Sequence, residues 1–171
     1  MTNQPARLPS WLKSPLFILA VVVGLGLLFG NRGRMLAKGT RLDARTVETS
    51  DGRLPLFGPE LTVLNFWGES CPPCREEAPE LTSLHSRLSG RGRVLGVSVD
   101  SDSLQDASRT ARELGMRYPI ALLDRPLQST FAVDVLPTTY VIDSSGVVRW
   151  SRVGALGDAE VREILAGPRP R

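Results

Sequence analysis

The chain has 171 residues, of which 42% are hydrophobic, 23% charged and 6% aromatic, with two cysteines. That is room for one ordinary domain plus an appendage. It excludes two full domains, a disordered or collagen-like chain and a disulfide-rich scaffold. The formal charge of +3 is unevenly placed: Arg7, Lys13, Arg32, Arg34 and Lys38 fall in the first 38 residues with no acid, leaving 16 bases against 18 acids beyond. The remainder is mildly acidic and offers no footprint to a phosphate backbone, so no nucleic-acid partner is expected.

Residues 1–14 read as a short tail and residues 15–30 as an anchor. The uncharged run from Leu16 to Gly30 is about 22 Å long as a helix, against a hydrocarbon core of about 30 Å. Trp11 and Leu12, with Lys13 snorkelling toward headgroups, extend its reach, so a single transmembrane helix held in the lipid bilayer is expected. A cleaved signal peptide is the competing reading. The best small-residue candidate, Ala37, has Met35 two positions before it, which makes a poor cleavage site. The bases flanking the run argue by the positive-inside rule for a cytoplasmic C-terminal side. The α-amino charge and the ability of a long domain to translocate argue for the opposite placement, which is adopted. Residues 31–41 read as a basic linker and 42–167 as the main domain, with the polar, basic stretch from Lys38 to Arg45 as tether.

Thr46 to Leu54 alternates around Asp51-Gly52, a type I′ turn dipeptide, and predicts an opening β-hairpin. Leu61 to Trp67, bounded by Pro59 and Gly68, reads as a strand buried on both faces. Pro72 to Leu88 predicts a helix whose Leu81, Leu84 and Leu88 form a buried face, kinked near Ala78 by Pro79. Arg93 to Val99 predicts a second buried strand, and Leu104 to Leu114 a helix ended by Gly115. Tyr118 to Leu123 is strand-like. Thr138 to Ile142 and Val147 to Val153, around the turn Asp143 to Gly146, predict an antiparallel hairpin, followed by a helix to Leu165 capped by Asp158. Strands alternating with helices give parallel crossovers, and the terminal hairpin adds antiparallel strands, so the class is an α/β sandwich with a mixed sheet.

Both cysteines lie two residues apart where a buried strand runs into a helix. A thiolate there faces unpaired N–H groups and the positive end of the helix dipole, which lower the Cys71 thiol from about 8.5. Pro72 suits the first helical position, and Cys74 falls within the first turn, so a short disulfide can form and break. Zinc would need four ligands where only Cys71, Cys74 and the lone His85 are soft donors, so no metal and no cofactor is expected. His85 reads as a surface or half-buried helix residue. A static disulfide across two residues would constrain little chain entropy.

Several motifs in order carry a resemblance: Asn65-Phe-Trp-Gly68, Cys71-Pro-Pro-Cys-Arg-Glu-Glu-Ala-Pro79, Gly96-Val-Ser-Val-Asp100 and Leu136-Pro-Thr-Thr-Tyr-Val-Ile-Asp143 with Gly146. The chain resembles the membrane-anchored TlpA/ResA/DsbE-like group of thioredoxin-fold thiol–disulfide oxidoreductases over about Leu42 to Leu165. The resemblance implies a thioredoxin-like fold, with the sheet flanked by helices, an N-terminal β-hairpin and one N-terminal transmembrane helix. It implies Cys71 as the attacking and Cys74 as the resolving cysteine of a redox disulfide. It further implies Pro79 as the helix-kinking proline and Pro137 as a cis-proline, with Leu136 and Thr138 as flanking substrate contacts. Trp67 would border the site, as a packing residue counted among the substrate contacts. Glu77 matches an acid that tunes proton transfer; its own chemistry allows either that role, if burial raises its pKa, or that of an exposed first-turn carboxylate. Glu76 reads as the exposed one. Two positions depart from the pattern: Ser70 stands where many relatives have an aromatic, and Asn65 replaces the buried acid of thioredoxin.

The resemblance implies exported thiol or disulfide proteins, including apocytochrome c, as partners, together with a membrane thiol–disulfide electron relay. It places the domain on the periplasmic side of a bacterial inner membrane. Two alternatives of the same fold stand beside it. A thiol peroxidase expects threonine where Gly68 stands. A copper-binding assembly factor expects CxxxC and a distal histidine.

Overall fold

The computed structural model describes Pro15, residues 17–21, Gly24 and residues 35–58, 61–131 and 133–167. The tail 1–14, most of the expected anchor 15–30 and residues 31–34 lie outside the described residues. Pro15, residues 17–21 and Gly24 are helical. Among the described residues no helix is long and apolar enough to cross a membrane. The chain divides into residues 1–34 and residues 35–171, and the second unit carries the sheet.

Strand β1 (Thr46–Thr49) and β2 (Gly52–Pro55) form the opening hairpin. Its turn is Ser50-Asp51, one residue earlier than the spacing predicts. Gly52 takes a φ of +94° and pairs with Thr49, whose hydroxyl donates to Gly52 O and accepts from the Asp51 N–H. That positive φ is open to glycine without the Cβ penalty. The hairpin joins the main sheet through Thr49, opposite Ala121.

Strand β3 (Leu61–Trp67) is central, as its apolar run predicts, and pairs with β4 (Gly92–Ser98) in parallel and β6 (Thr138–Ile142) antiparallel. β5 (Ile120–Leu122) and β7 (Val148–Val153) complete a seven-stranded mixed sheet in the order β2-β1-β5-β4-β3-β6-β7. The helices are α1 (Pro72–Arg87), α2 (Leu104–Glu113), α3 (Arg125–Phe131) and α4 (Asp158–Ala166). Alternation along β3 divides its side chains between two cores. Val63 and Trp67 pack with Cys74, Ala78, Leu81 and Leu84 of α1 and with Val161 and Ile164 of α4. Leu64 and Phe66 pack on the other face with Leu127 and Phe131 of α3 and with Tyr140.

Three expectations are corrected. α3 was not predicted: it is seven residues long with Pro126 near its start, too short for a periodic pattern, and its first turn is fixed by the Leu127 N–H donating to Asp124 Oδ1 at 2.7 Å. The α4 N-cap is Gly157, whose N–H donates to Glu160 Oε2 at 3.0 Å, while Asp158 is already helical. Residues 35–41, expected in the linker, instead meet β7 and the core, ahead of the expected domain start at Leu42. Met35 and Leu36 pack against the second core, and Leu42 is buried in it. The Gly39 N–H donates to Val148 O, the Val148 N–H to Thr40 O and the Leu42 N–H to Gly146 O, each at 2.8 Å. Unpaired strand-edge groups are strong ties for passing backbone, which composition does not reveal.

Candidate active site

β3 ends at Trp67 and the chain enters α1 five residues later, so the site sits at the carboxyl end of the central strand, beside a helix N-terminus. Cys71 is the N-cap of α1, with extended backbone (φ −96°, ψ 103°). Pro72 and Pro73 follow as the first two helical residues and carry no N–H. The first N–H of the helix is therefore that of Cys74, which is shared between Cys71 O at 3.1 Å and Cys71 Sγ at 3.3 Å. This sulfur takes the place that a serine or aspartate oxygen occupies at an ordinary N-cap. A negative sulfur there gains from that donor and from the dipole.

Cys71 and Cys74 are joined in a disulfide, with S–S 2.09 Å and Cα atoms 5.3 Å apart. Their environments differ: Cys71 is half-buried, whereas Cys74 is completely buried. An incoming sulfur therefore reaches Cys71 first. The Leu136–Pro137 peptide bond is cis. Pro137 and Thr138 are buried and Leu136 is half-buried. The Thr138 hydroxyl donates to Val135 O at 2.6 Å, and Pro137 O accepts from the Gly154 N–H at 2.8 Å. Leu136 packs against the same core as Cys71 and Cys74. Trp67 is 0% exposed, so it lies behind the cysteines, in the core. The expectation that it touches substrate is corrected accordingly.

Glu77 is three residues beyond Cys74 on the buried face of α1 and only 2% exposed. The structure thus selects the buried alternative, while Glu76 is exposed. Glu77 Oε1 accepts from Asn65 Nδ2 at 2.8 Å and Oε2 from the Leu156 N–H at 2.8 Å. Asn65 also donates to Thr139 Oγ1 at 3.1 Å. Burial raises the Glu77 carboxyl above its ordinary 4.5, against the opposing effect of the Leu156 and Asn65 donors. Tyr118 lies close by. Burial first, and then the Glu77 charge, push its phenol far upward. Its hydroxyl has no hydrogen-bond partner among the described residues.

His85 is separated from Cys74 by eleven residues of helix, about 16 Å along the axis. Its Nδ1 accepts from the Val94 N–H at 3.1 Å, and burial lowers its pKa. It is engaged away from the sulfurs, which removes the distal histidine that a copper site would use. At Gly68 a Cβ would lie 2.8 Å from Asp100 Oδ2 and 3.1 Å from Leu136 Cδ1. The threonine of a peroxidase site would not fit there without displacing both. Asp100, part of the Gly96–Asp100 motif but given no role from the sequence, also comes to the site: its Oδ1 accepts from the Glu69 N–H at 2.9 Å. The available signal was its position just past the carboxyl end of a buried strand.

A solvent-reachable cysteine at a helix N-terminus, a buried partner one turn away and an adjacent cis-proline, on a mixed sheet flanked by helices, define a thioredoxin-fold thiol–disulfide oxidoreductase. Comparison with known proteins agrees. The AhpC/TSA family model matches residues 37–151, and the chain belongs to that family. It is 30% identical to the thiol-disulfide oxidoreductase ResA of Geobacillus thermodenitrificans over 127 residues, 72% of each chain. It is 39% identical over 106 residues to the thiol:disulfide interchange protein DsbE of Xylella fastidiosa, covering 60% of this chain and 52% of that one. The chain thus spans about half the length of that DsbE. A solved thiol:disulfide interchange protein of Chlorobium tepidum shares the fold, with a TM-score of 0.67 at 24% identity, covering 78% of this chain and 98% of that one.

Proposed function

We propose that this oxidoreductase is tethered to a bacterial inner membrane by residues 15–30 and exchanges disulfides with exported proteins, apocytochrome c among them. In this reading the domain faces the periplasm and draws electrons from a membrane thiol–disulfide relay. The observation that carries the chemistry is the half-buried Cys71 sulfur at the N-cap of α1, bonded to the buried Cys74.

In the reduced protein the Cys71 thiolate attacks one sulfur of a substrate disulfide. The substrate S–S bond breaks, a mixed disulfide forms and one substrate thiolate leaves. Cys74 then attacks Cys71 Sγ, closing the disulfide and releasing the second substrate thiolate. Two electrons pass from enzyme to substrate, and the reverse sequence oxidises a dithiol. Cys74 must lose its proton to attack, and Glu77 is the carboxyl on its helix face whose raised pKa suits it to accept one. Asn65 cannot transfer a proton at neutral pH. Its amide instead orients the Glu77 carboxyl. Leu136, Pro137 and Thr138 provide the backbone against which an extended substrate chain lies.

Equilibration of the full-length protein with glutathione buffers tests the exchange. Reversible interconversion of the Cys71–Cys74 couple is expected, and a pair that does not cycle would refute the reading. Fractionation of cells producing the full chain tests the tether: recovery of the protein in the soluble fraction would overturn it.

A further inference from the structure

β3 and β4 run parallel with Trp67 opposite Ser98, so the segments leaving them emerge side by side. The Val99 N–H donates to Trp67 O at 3.0 Å and extends the ladder one step past the strands. Asp100 comes next, and its carboxylate turns back over the segment leading to Cys71. Oδ1 accepts from the Glu69 N–H at 2.9 Å, and Oδ2 lies 3.5 Å from the Ser70 nitrogen. The carboxylate sits so close to Gly68 that only glycine leaves it room. Other polar groups of this turn are engaged as well. Glu69 O accepts from Arg75 Nε and Nη2 at 3.2 and 2.8 Å, Glu69 Oε1 accepts from the Ser101 hydroxyl at 2.6 Å, and Gly68 O accepts from the Cys71 N–H at 3.3 Å.

We propose that Asp100 is a positioning residue for the nucleophile: its hydrogen bonds hold the Gly68–Ser70 turn, and its charge opposes ionisation of Cys71. The helix N-terminus favours the thiolate through one N–H, while a carboxylate bound to the preceding peptides disfavours it. The balance keeps the attacking sulfur from becoming an over-stabilised leaving group, which sets how readily it passes electrons on. The segments that meet at the cysteines carry other charged groups: Glu69, Arg75, Glu76 and Glu77 before and within α1, Asp102 beyond Asp100, and Asp134 ahead of the cis-proline. Of these, Arg75 binds the same turn through Glu69 O. Asp102 makes no hydrogen bond to it.

The inference rests on Cys71 being the attacking thiol. It is tested by alkylation of the reduced, full-length chain with iodoacetamide as a function of pH, with mass spectrometry reporting Cys71. Asp100→Asn keeps an oxygen to accept from the Glu69 N–H and removes the charge. Below the thiol pKa it should alkylate about threefold faster than wild type, with the profile displaced to lower pH. Above that pKa its equilibrium with glutathione should favour the reduced enzyme by a similar factor. Asp100→Ala should show the same displacement but slower attack at equal thiolate fraction, because the turn has lost its acceptor. Asp102→Asn, the control for general charge loss, should leave the profile in place. An unchanged profile in Asp100→Asn, or an equal displacement in Asp102→Asn, overturns the proposal. Failure of wild type to cycle with glutathione would instead count against the exchange reading, so the two failures are distinguishable.

Discussion

Asn65 Nδ2 lies 2.8 Å from Glu77 Oε1, joining the central strand to the active-site helix through a hydrogen bond shut off from solvent. The Glu77 carboxyl is raised by burial, so its protonated form is favoured in the fold. The stability this contributes is complete below the unfolded value near 4.5 and is lost as pH rises through the folded value. Glu77→Gln removes the titration. The stability of wild type relative to that variant should therefore fall as pH is raised, as followed by denaturant midpoints. In single-turnover exchange Glu77→Gln should slow release of the mixed disulfide by about 10- to 100-fold, with little change in its formation. Equal slowing of both steps would remove the proton-accepting role.

Cys74→Ser should accumulate a covalent adduct through Cys71, because the mixed disulfide forms but has no resolving sulfur. Cys71→Ser should form none. Mass spectrometry after mixing with a disulfide-bearing peptide reads the difference, and adducts through Cys74 in the second variant would reverse the assigned roles.

Gly68→Ala puts a methyl 2.8 Å from Asp100 Oδ2 and 3.1 Å from Leu136 Cδ1. Overpacking of this kind costs about 1–3 kcal/mol. The expected outcome is a lower denaturant midpoint with slower exchange, since both contacts belong to segments framing Cys71. A variant as stable and as active as wild type would show that these segments yield freely.

Tyr118→Phe removes a buried hydroxyl that has no partner among the described residues. Loss of such a group carries no hydrogen-bond penalty, so stability should be unchanged or raised by up to about 1 kcal/mol. A clear loss would mean that the hydroxyl is bonded in solution.

The features legible in the sequence were those carried by local pattern. β3 is a run of apolar residues ended by Gly68, and its observed bounds match the expectation. The Cys71-Pro-Pro-Cys74 turn places its prolines where the missing N–H groups do no harm, so a strand-to-helix junction could be inferred. Glu77 could not be assigned a face from its neighbours alone, because its burial depends on Asn65 and Leu156, twelve residues before it and 79 after. Asp100 escaped notice for the same reason: its partner Glu69 is 31 residues away. Residues 35–42 have the composition of a linker, yet their backbone meets a strand edge formed more than 100 residues later.

That docking of residues 39–42 has a geometrical consequence. The chain enters the domain beside Val147 and Val148, at the start of β7, while the other end of the strand, Val153, lies opposite Thr138 next to the cis-proline. One strand length, about 17 Å, separates the hitching point from the reactive rim. A pull on the chain leading into residues 39–42 would thus be taken by the far end of the sheet, leaving the cysteines unloaded.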